Sequence, residues 1–132
     1  MAAAQASPPR CNILPPGNIC RIHLNRHPTP ALVDTGACRS LISEHFLRKL
    51  KCVKRIANSE VNENLITANS AKMELTGKVS LEIKIAGIAQ DFEFWIAPNL
   101  YFNVILGIDF LRHCKAQICM DTDQMILFGG LC

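Results

Sequence analysis

Apolar residues recur at every second position over much of this chain, the period of a half-buried β-strand. Cys20, Ile22 and Leu24 alternate with Arg21, His23 and Asn25 and predict one such strand. The stretch Arg26-His27-Pro28-Thr29-Pro30 then turns the chain back into a short apolar strand, Ala31-Leu32-Val33. Leu41-Ile42 forms a second apolar pair between Ser40 and Ser43. From Leu65 onward the pattern is β throughout, with a piece over Leu75–Lys78 and then Val79, Leu81, Ile83 and Ile85 on one face. Ser80, Glu82 and Lys84 face the other way, and Ala86-Gly87 reverses the chain. The next strand sets Phe92, Phe94 and Ile96 on one side and Asp91, Glu93 and Trp95 on the other, before Pro98-Asn99 breaks it. A buried strand is expected over Phe102–Leu106, and a hairpin of Gln117–Met120 with Met125–Phe128 around Asp121-Thr122-Asp123-Gln124.

Two stretches carry a helical pattern instead. Ser43 is placed to cap Glu44, Phe46, Leu47 and Leu50, as a helix of at most two turns or a surface turn of similar composition. Ile108–His113 places Phe110 and Leu111 on its apolar side and Arg112 and His113 near its C-terminus, where cations suit the helix dipole. The chain is therefore expected to be mainly β with one or two short helices, in a small closed or barrel-like architecture.

With 132 residues, 49% of them hydrophobic, the chain supports one domain and a single core. Residues 1–17 hold four of the seven prolines and no sustained period, so they are expected to be a flexible lead. The domain is placed at 18–128, with 129–132 as a tail opened by Gly129-Gly130. The net charge of +3 is dispersed, and aromatic residues make up only 6%, which argues against a basic nucleic-acid groove with interleaved aromatics. No apolar run approaches the roughly eighteen residues of a membrane helix, and no membrane partner is expected. Seven cysteines, odd in number and without a Cys-x-x-Cys pair, are read as reduced thiols in a cytoplasmic protein. His113, Cys114 and Cys119 approach a metal cluster but lack a second pair at ligand spacing, so no metal or cofactor is expected.

The chemistry concentrates at Asp34-Thr35-Gly36-Ala37. An apolar strand ends on a carboxylate, an expensive place for a charge unless it is used. Gly36 is expected to take a backbone conformation closed to other residues. Alone, Asp-Thr-Gly also closes ordinary turns, with the Asp side chain bonding the backbone two residues on. About seventy residues later, Val104-Ile105-Leu106-Gly107 repeats the unit of buried strand into glycine turn, which suggests a weak internal two-fold.

On these residues the chain resembles the retropepsin family, the retroviral-type aspartic proteases, over roughly residues 18–128. Asp34-Thr35-Gly36-Ala37 matches the family's active-site loop, and Ile105-Leu106-Gly107 its second apolar-apolar-Gly element. The resemblance implies a retropepsin-like closed barrel, one lobe per chain, that hydrolyses peptide bonds without a cofactor. It implies Asp34 as the catalytic acid, Thr35 and Gly36 as its supporting loop, and Gly36, Ala37 and Cys38 along the substrate. It also implies a flap over the substrate, centred here on Ala68, Asn69, Ser70 and Ala71, where many family members carry glycine. No other aspartate is followed by Thr-Gly or Ser-Gly, so a second carboxylate has to come from a second copy, as a C2 homodimer.

The chain also departs from the retroviral pattern. Typical retroviral enzymes pair an acidic residue just after the active-site alanine with an arginine directly after the second glycine, and Cys38 and Ile108 stand in those places. Gly107-Ile108-Asp109 is closer to gypsy-class LTR retrotransposon proteases and to the retropepsin-like domains of ubiquitin-receptor proteases. The expected activity is retroelement polyprotein processing, in the cytoplasm or within virus-like particles. A domesticated dimer that serves as a non-catalytic interaction module is the alternative. The C-terminal stretch from Met125 is a candidate interface strand, whereas the proline-rich N-terminus makes a poor one.

Overall fold

A computed structural model describes residues 8–14, 18–50, 55–56, 64–66 and 72–127. The alternating segments form β2 (Ile19–Leu24), β3 (His27–Val33), β8 (Gly77–Ile85) and β9 (Ile88–Ala97), joined as two hairpins. Asn25 and Arg26 close the first hairpin, and Ala86 and Gly87 the second, all with positive φ. That geometry gives two-residue turns whose twist matches the flanking strands. The reversal at residues 26–30 expected from the prolines is thus corrected to Asn25-Arg26, with Pro28 and Pro30 inside β3. They sit opposite His23 and Arg21 and alternate with the buried Thr29, so their missing N–H groups point away from β2.

The remaining short strands complete a barrel. β4 (Leu41–Ser43) and β10 (Val104–Leu106) give the order β2-β3-β10-β4-β9-β8, and β2 pairs again with β8 to close it. β5 (Arg55–Ile56) adds to β8 outside the ring, and β6 (Asn64–Ile66) pairs with β7 (Lys72–Glu74). The flap residues Ala68, Asn69, Ser70 and Ala71 fall between those two strands, outside the described residues. Both expected helices are present, as α1 (Glu44–Leu47) and α2 (Ile108–His113). Ser43 caps α1 by accepting the Phe46 N–H at 2.9 Å.

Strand alternation sorts the apolar side chains into two groups. Ala31, Val33, Ile42, Phe94, Ile96, Val104 and Leu106 point into the barrel, where they meet Phe110 of α2. Leu41, Leu75, Trp95, Ala97 and Ile105 form a second cluster on the outer face, with Leu32, Ala37, Leu100 and Phe102 packed against it. Trp95, expected on the polar side of its strand, is on that face but is only 8% exposed, because the outer face beside the Asp34 loop is itself apolar.

The N-terminal expectation is also corrected. Arg10–Asn12 is a strand, β1, paired antiparallel with β12 (Gln124–Leu127), which pairs in turn with β11 (Ala116–Cys119). Arg10, Cys11 and Asn12 lie between the proline pairs 8–9 and 15–16, so every residue of the strand retains its N–H. The C-terminal strand is therefore satisfied within its own chain on both edges.

Candidate active site

Asp34 leaves the end of β3 half-buried, with Thr35 and Gly36 exposed beside it. Its backbone N–H donates to the Leu106 carbonyl at 3.0 Å, which continues the parallel pairing of β3 with β10 beyond Val33↔Leu106. Oδ1 accepts the Gly36 N–H at 2.9 Å, and the Ala37 N–H returns to the Asp34 carbonyl at 3.1 Å. These two bonds are what an ordinary Asp-initiated turn makes. The second glycine element, which grips the loop from below, sets this turn apart.

β10 lies between β3 and β4, parallel to one and antiparallel to the other, so the loop of residues 34–40 has to arch over its end. The Ile108 N–H donates to the Ala37 carbonyl at 2.7 Å. The Gly107 N–H donates to Ser40 Oγ at 3.0 Å, and that hydroxyl donates to Asp109 Oδ1 at 2.7 Å. Asp109 Oδ2 also accepts the Ser40 backbone N–H at 3.0 Å, and Oδ1 the Phe110 N–H at 2.7 Å. One carboxylate at the start of α2 thereby holds a fully buried serine of the loop by main chain and side chain together.

Gly107 is required by close approach. A Cβ on Gly107 would stand 2.5 Å from the Arg39 carbonyl oxygen and 2.7 Å from that of Ala37. Gly107 itself is extended, at φ −94 and ψ −172. Gly36, expected to need a special conformation, is absent from the positive-φ residues, and a Cβ there would lie 3.2 Å from Asp34 Oδ1. A side chain there would press on the carboxylate by a few tenths of an ångström.

Of the sequence-predicted residues, Asp34, Thr35, Gly36, Ala37, Ile105, Leu106 and Gly107 come together at this loop, and Cys38 is exposed on it. Ile105 points into the outer apolar cluster and Leu106 into the barrel, so only the first faces the surface beside Asp34. Ser40 and Asp109 were not foreseen as partners across the fold. The available signals were a polar residue beside an apolar pair and an acid in the first turn of a helix that follows a buried strand.

Thr35 also lines a groove of about 410 Å³ with Ile108, Leu111, Arg112, Lys115, Ala116 and Ile118. Among the described residues, no three His, Cys, Asp or Glu side chains are grouped to hold a metal ion. Nor is any described helix long and apolar enough to cross a membrane. The cysteines described are free thiols, Cys11, Cys20, Cys38, Cys114 and Cys119. A hydrogen bond to Cys11 together with burial pushes the Cys20 thiol far up, and the same bond draws Cys11 down. Burial pushes Cys114 up, opposed by its bond from Gln90.

The family model described as "gag-polyprotein putative aspartyl protease" matches residues 20–113. DNA damage-inducible protein 1 of Candida glabrata is 24% identical over 106 residues, which make up 80% of this chain and 24% of that protein. The chain thus spans about a quarter of the length of this curated relative. Among solved structures, EIAV protease complexed with the inhibitor HBY-793 has a TM-score of 0.65 at 20% identity, over 81% of this chain and 96% of that one. The retroviral protease-like domain of Ddi1 from Leishmania major has a TM-score of 0.62 at 16% identity, over 92% and 89%. A retropepsin-like aspartic protease from Rickettsia conorii has a TM-score of 0.58 at 17% identity, over 89% and 87%.

Proposed function

This chain belongs to the gag-polyprotein aspartyl proteases, the retropepsins, and on that premise we propose that it is an aspartic endopeptidase active as a homodimer. The observation that carries the proposal is a single carboxylate, Asp34, half-buried at a strand end and held by a loop that β10 and α2 clamp from within one chain. The other aspartates cannot complete a pair with it. Asp109 is committed to Ser40, while Asp91, Asp121 and Asp123 are exposed on other elements.

Uncatalysed peptide hydrolysis is slow because water is a poor nucleophile and the amine a poor leaving group. Two carboxylates within hydrogen-bond reach cannot both ionise, so they share one proton. The ionised one draws a proton from a water between them while the protonated one donates to the carbonyl oxygen, and the roles reverse to protonate the leaving nitrogen. Asp34 from each chain supplies the pair. Thr35, beside the axis, braces the two loops, and the Gly36 carbonyl receives a substrate N–H.

Two features support the dimer. Among the described residues β11 pairs only with β12, so no described strand lies on its other edge. The groove beside that strand is lined by Ile108, Leu111, Ala116 and Ile118 together with Arg112, Lys115 and Thr35, a partly apolar surface next to the half-site it would complete. The substrate is a peptide segment of a protein, and polyprotein processing is the proposed role in keeping with the family. The test compares wild type with Asp34→Asn on a broad peptide library from acidic to neutral pH, with mass measured in parallel. Cleavage by wild type alone, in a dimeric fraction, is expected. Equal cleavage by both proteins refutes the enzyme, and cleavage by a strict monomer refutes the shared pair.

A further inference from the structure

Two of the free thiols are neighbours. Alternation along β1 leaves Arg10 and Asn12 exposed and turns Cys11 inward, as it does Ile13 just beyond the strand. Cys11 packs on the core cluster that contains Cys20, and the two side chains are hydrogen-bonded to each other. Cys20 is only 1% exposed, whereas Cys11 is half-buried at the margin of that cluster. The thiols of Cys38 and Cys114 have other surroundings, the first exposed on the Asp34 loop and the second buried and bonded by Gln90.

The backbone holds this pair in place from both sides. Leu14 and Ile19 exchange N–H to carbonyl bonds of 2.8 and 3.0 Å, and the Ile13 N–H donates to the Asp123 carbonyl at 2.8 Å. Cys11 stands opposite the fully buried Met125 of β12, and Cys20 opposite the buried Ala31 of β3. One sulfur thus belongs to the three-stranded sheet and the other to the barrel, beside the strand that ends on Asp34.

We infer that Cys11 and Cys20 form a dithiol site that reacts with a low-molecular-weight disulfide such as oxidised glutathione and closes into a disulfide between β1 and β2. Cys11 is the residue such a reagent can reach, and the hydrogen bond from Cys20 draws it toward the thiolate, the nucleophile of exchange. Its sulfur attacks one glutathione sulfur, the glutathione S–S bond breaks, and one glutathione leaves as a thiolate that takes up a proton. Cys20 then gives up its proton and attacks the Cys11 sulfur of the mixed disulfide, which releases the second glutathione as a thiol. The two protons of the dithiol end on two glutathione thiols, and two electrons pass from the protein to the reagent. The new ring spans residues 11–20 and ties the three-stranded sheet covalently to the barrel, which restricts the unfolded chain more than the folded one. The staple forms whether or not Asp34 is catalytic.

The full chain, equilibrated in buffers of reduced and oxidised glutathione, then acid-quenched, alkylated, digested and weighed by mass spectrometry, tests this with thermal melting in parallel. A peptide pair linked through Cys11 and Cys20, two hydrogens lighter than its separate parts, is expected. Melting of the linked form should rise by about 5–10 °C, and dithiothreitol should reverse the rise. Both changes are expected to persist in Cys38→Ser and to vanish in Cys11→Ser, with Cys11→Ala in its place should that variant fail to fold. Cys20→Ala is expected to stop at the mixed disulfide, with one glutathione on Cys11. The inference is overturned if both thiols stay free in the folded wild type under oxidised glutathione, or if Cys11 retains glutathione while Cys20 stays free. A link from Cys11 to a different cysteine, or a linked form that melts no higher than the reduced one, overturns it as well.

Discussion

Replacing Gly107 with alanine puts a methyl group where the loop's own carbonyls already lie. The new carbon would meet the Arg39 oxygen at 2.5 Å and both the Ala37 oxygen and the Arg39 carbonyl carbon at 2.7 Å, distances under the 3.0 Å that real Cβ contacts respect. All three atoms are backbone, so no side chain can swing aside. The loop has to lift from β10, and as it does the 2.7 Å bond from Ile108 N–H to Ala37 and the 3.0 Å bond from Gly107 N–H to Ser40 stretch. Overpacking of this kind costs about 1–3 kcal/mol. Each buried donor left without its acceptor adds about 1–3 kcal/mol. With both donors lost the total is about 3–9 kcal/mol, a large part of the roughly 5–15 kcal/mol that holds a domain together. Thermal melting followed by circular dichroism should fall by at least about 10 °C. In the fraction that remains folded, displacement of the Asp34 loop should lower kcat/KM by about 10²-fold. Gly87→Ala is the control: φ there is +82 with nothing within 4 Å of the new carbon, so the strain is local to an exposed turn. It should cost about 1–2 kcal/mol and leave activity intact. If Gly107→Ala melts within a few degrees of wild type, or costs less than Gly87→Ala, the loop is not clamped as described.

Other perturbations separate the supports from the reacting group. Ser40→Ala removes the hydroxyl between Gly107 and Asp109 and strands a buried N–H, so urea unfolding should show a loss of about 2–4 kcal/mol. Ser43→Ala removes the cap of α1 and should cost about 1 kcal/mol, with peptide cleavage unchanged. In thiol labelling of the native protein, exposed Cys38 should react well before Cys20, held protonated by its bond with Cys11 and by burial, and before Cys114, held protonated by burial. Equal rates for the three would contradict their placement. The raised Cys114 thiol retains its proton where an unfolded one has lost it, so its stabilising effect is complete below the ordinary value of 9.0 and declines as pH rises beyond it. Replacing Cys114 with alanine should flatten that alkaline decline in stability measured by urea titration.

Local features were legible in the sequence and contacts between distant segments were not. The period of two placed β2, β8 and β9, and the apolar pair after Gly107 with its C-terminal cations placed α2, because each depends on residues close along the chain. Asp34, Gly36 and Gly107 were found as motifs for the same reason. The contact Gly36 makes was not legible, since it is with a carboxylate oxygen, and no positive backbone angle accompanies it. The pairing of β1 with β12 joins residues more than a hundred positions apart, and proline content obscured the three residues able to make it. Trp95 was assigned by alternation to a polar face, and alternation cannot tell solvent from a second apolar layer.

The bond from Asp109 to Ser40 connects these observations. Retroviral relatives brace the loop with an acid on the loop and an arginine after the second glycine, and this chain has Cys38 and Ile108 there. The structure shows the brace with its polarity reversed: the acid is now on the helix, and the loop contributes a hydroxyl and a backbone N–H. A neutral donor pair on a carboxylate avoids burying a guanidinium whose loss of partner would be costly. It also ties Ser40, and through it Arg39 and Trp95, to the element that grips Ala37. The Asp34 loop is therefore braced within one chain. On the proposed homodimer reading, association would align two loops that are each already held by their own chain, so that little of its cost would fall on ordering them.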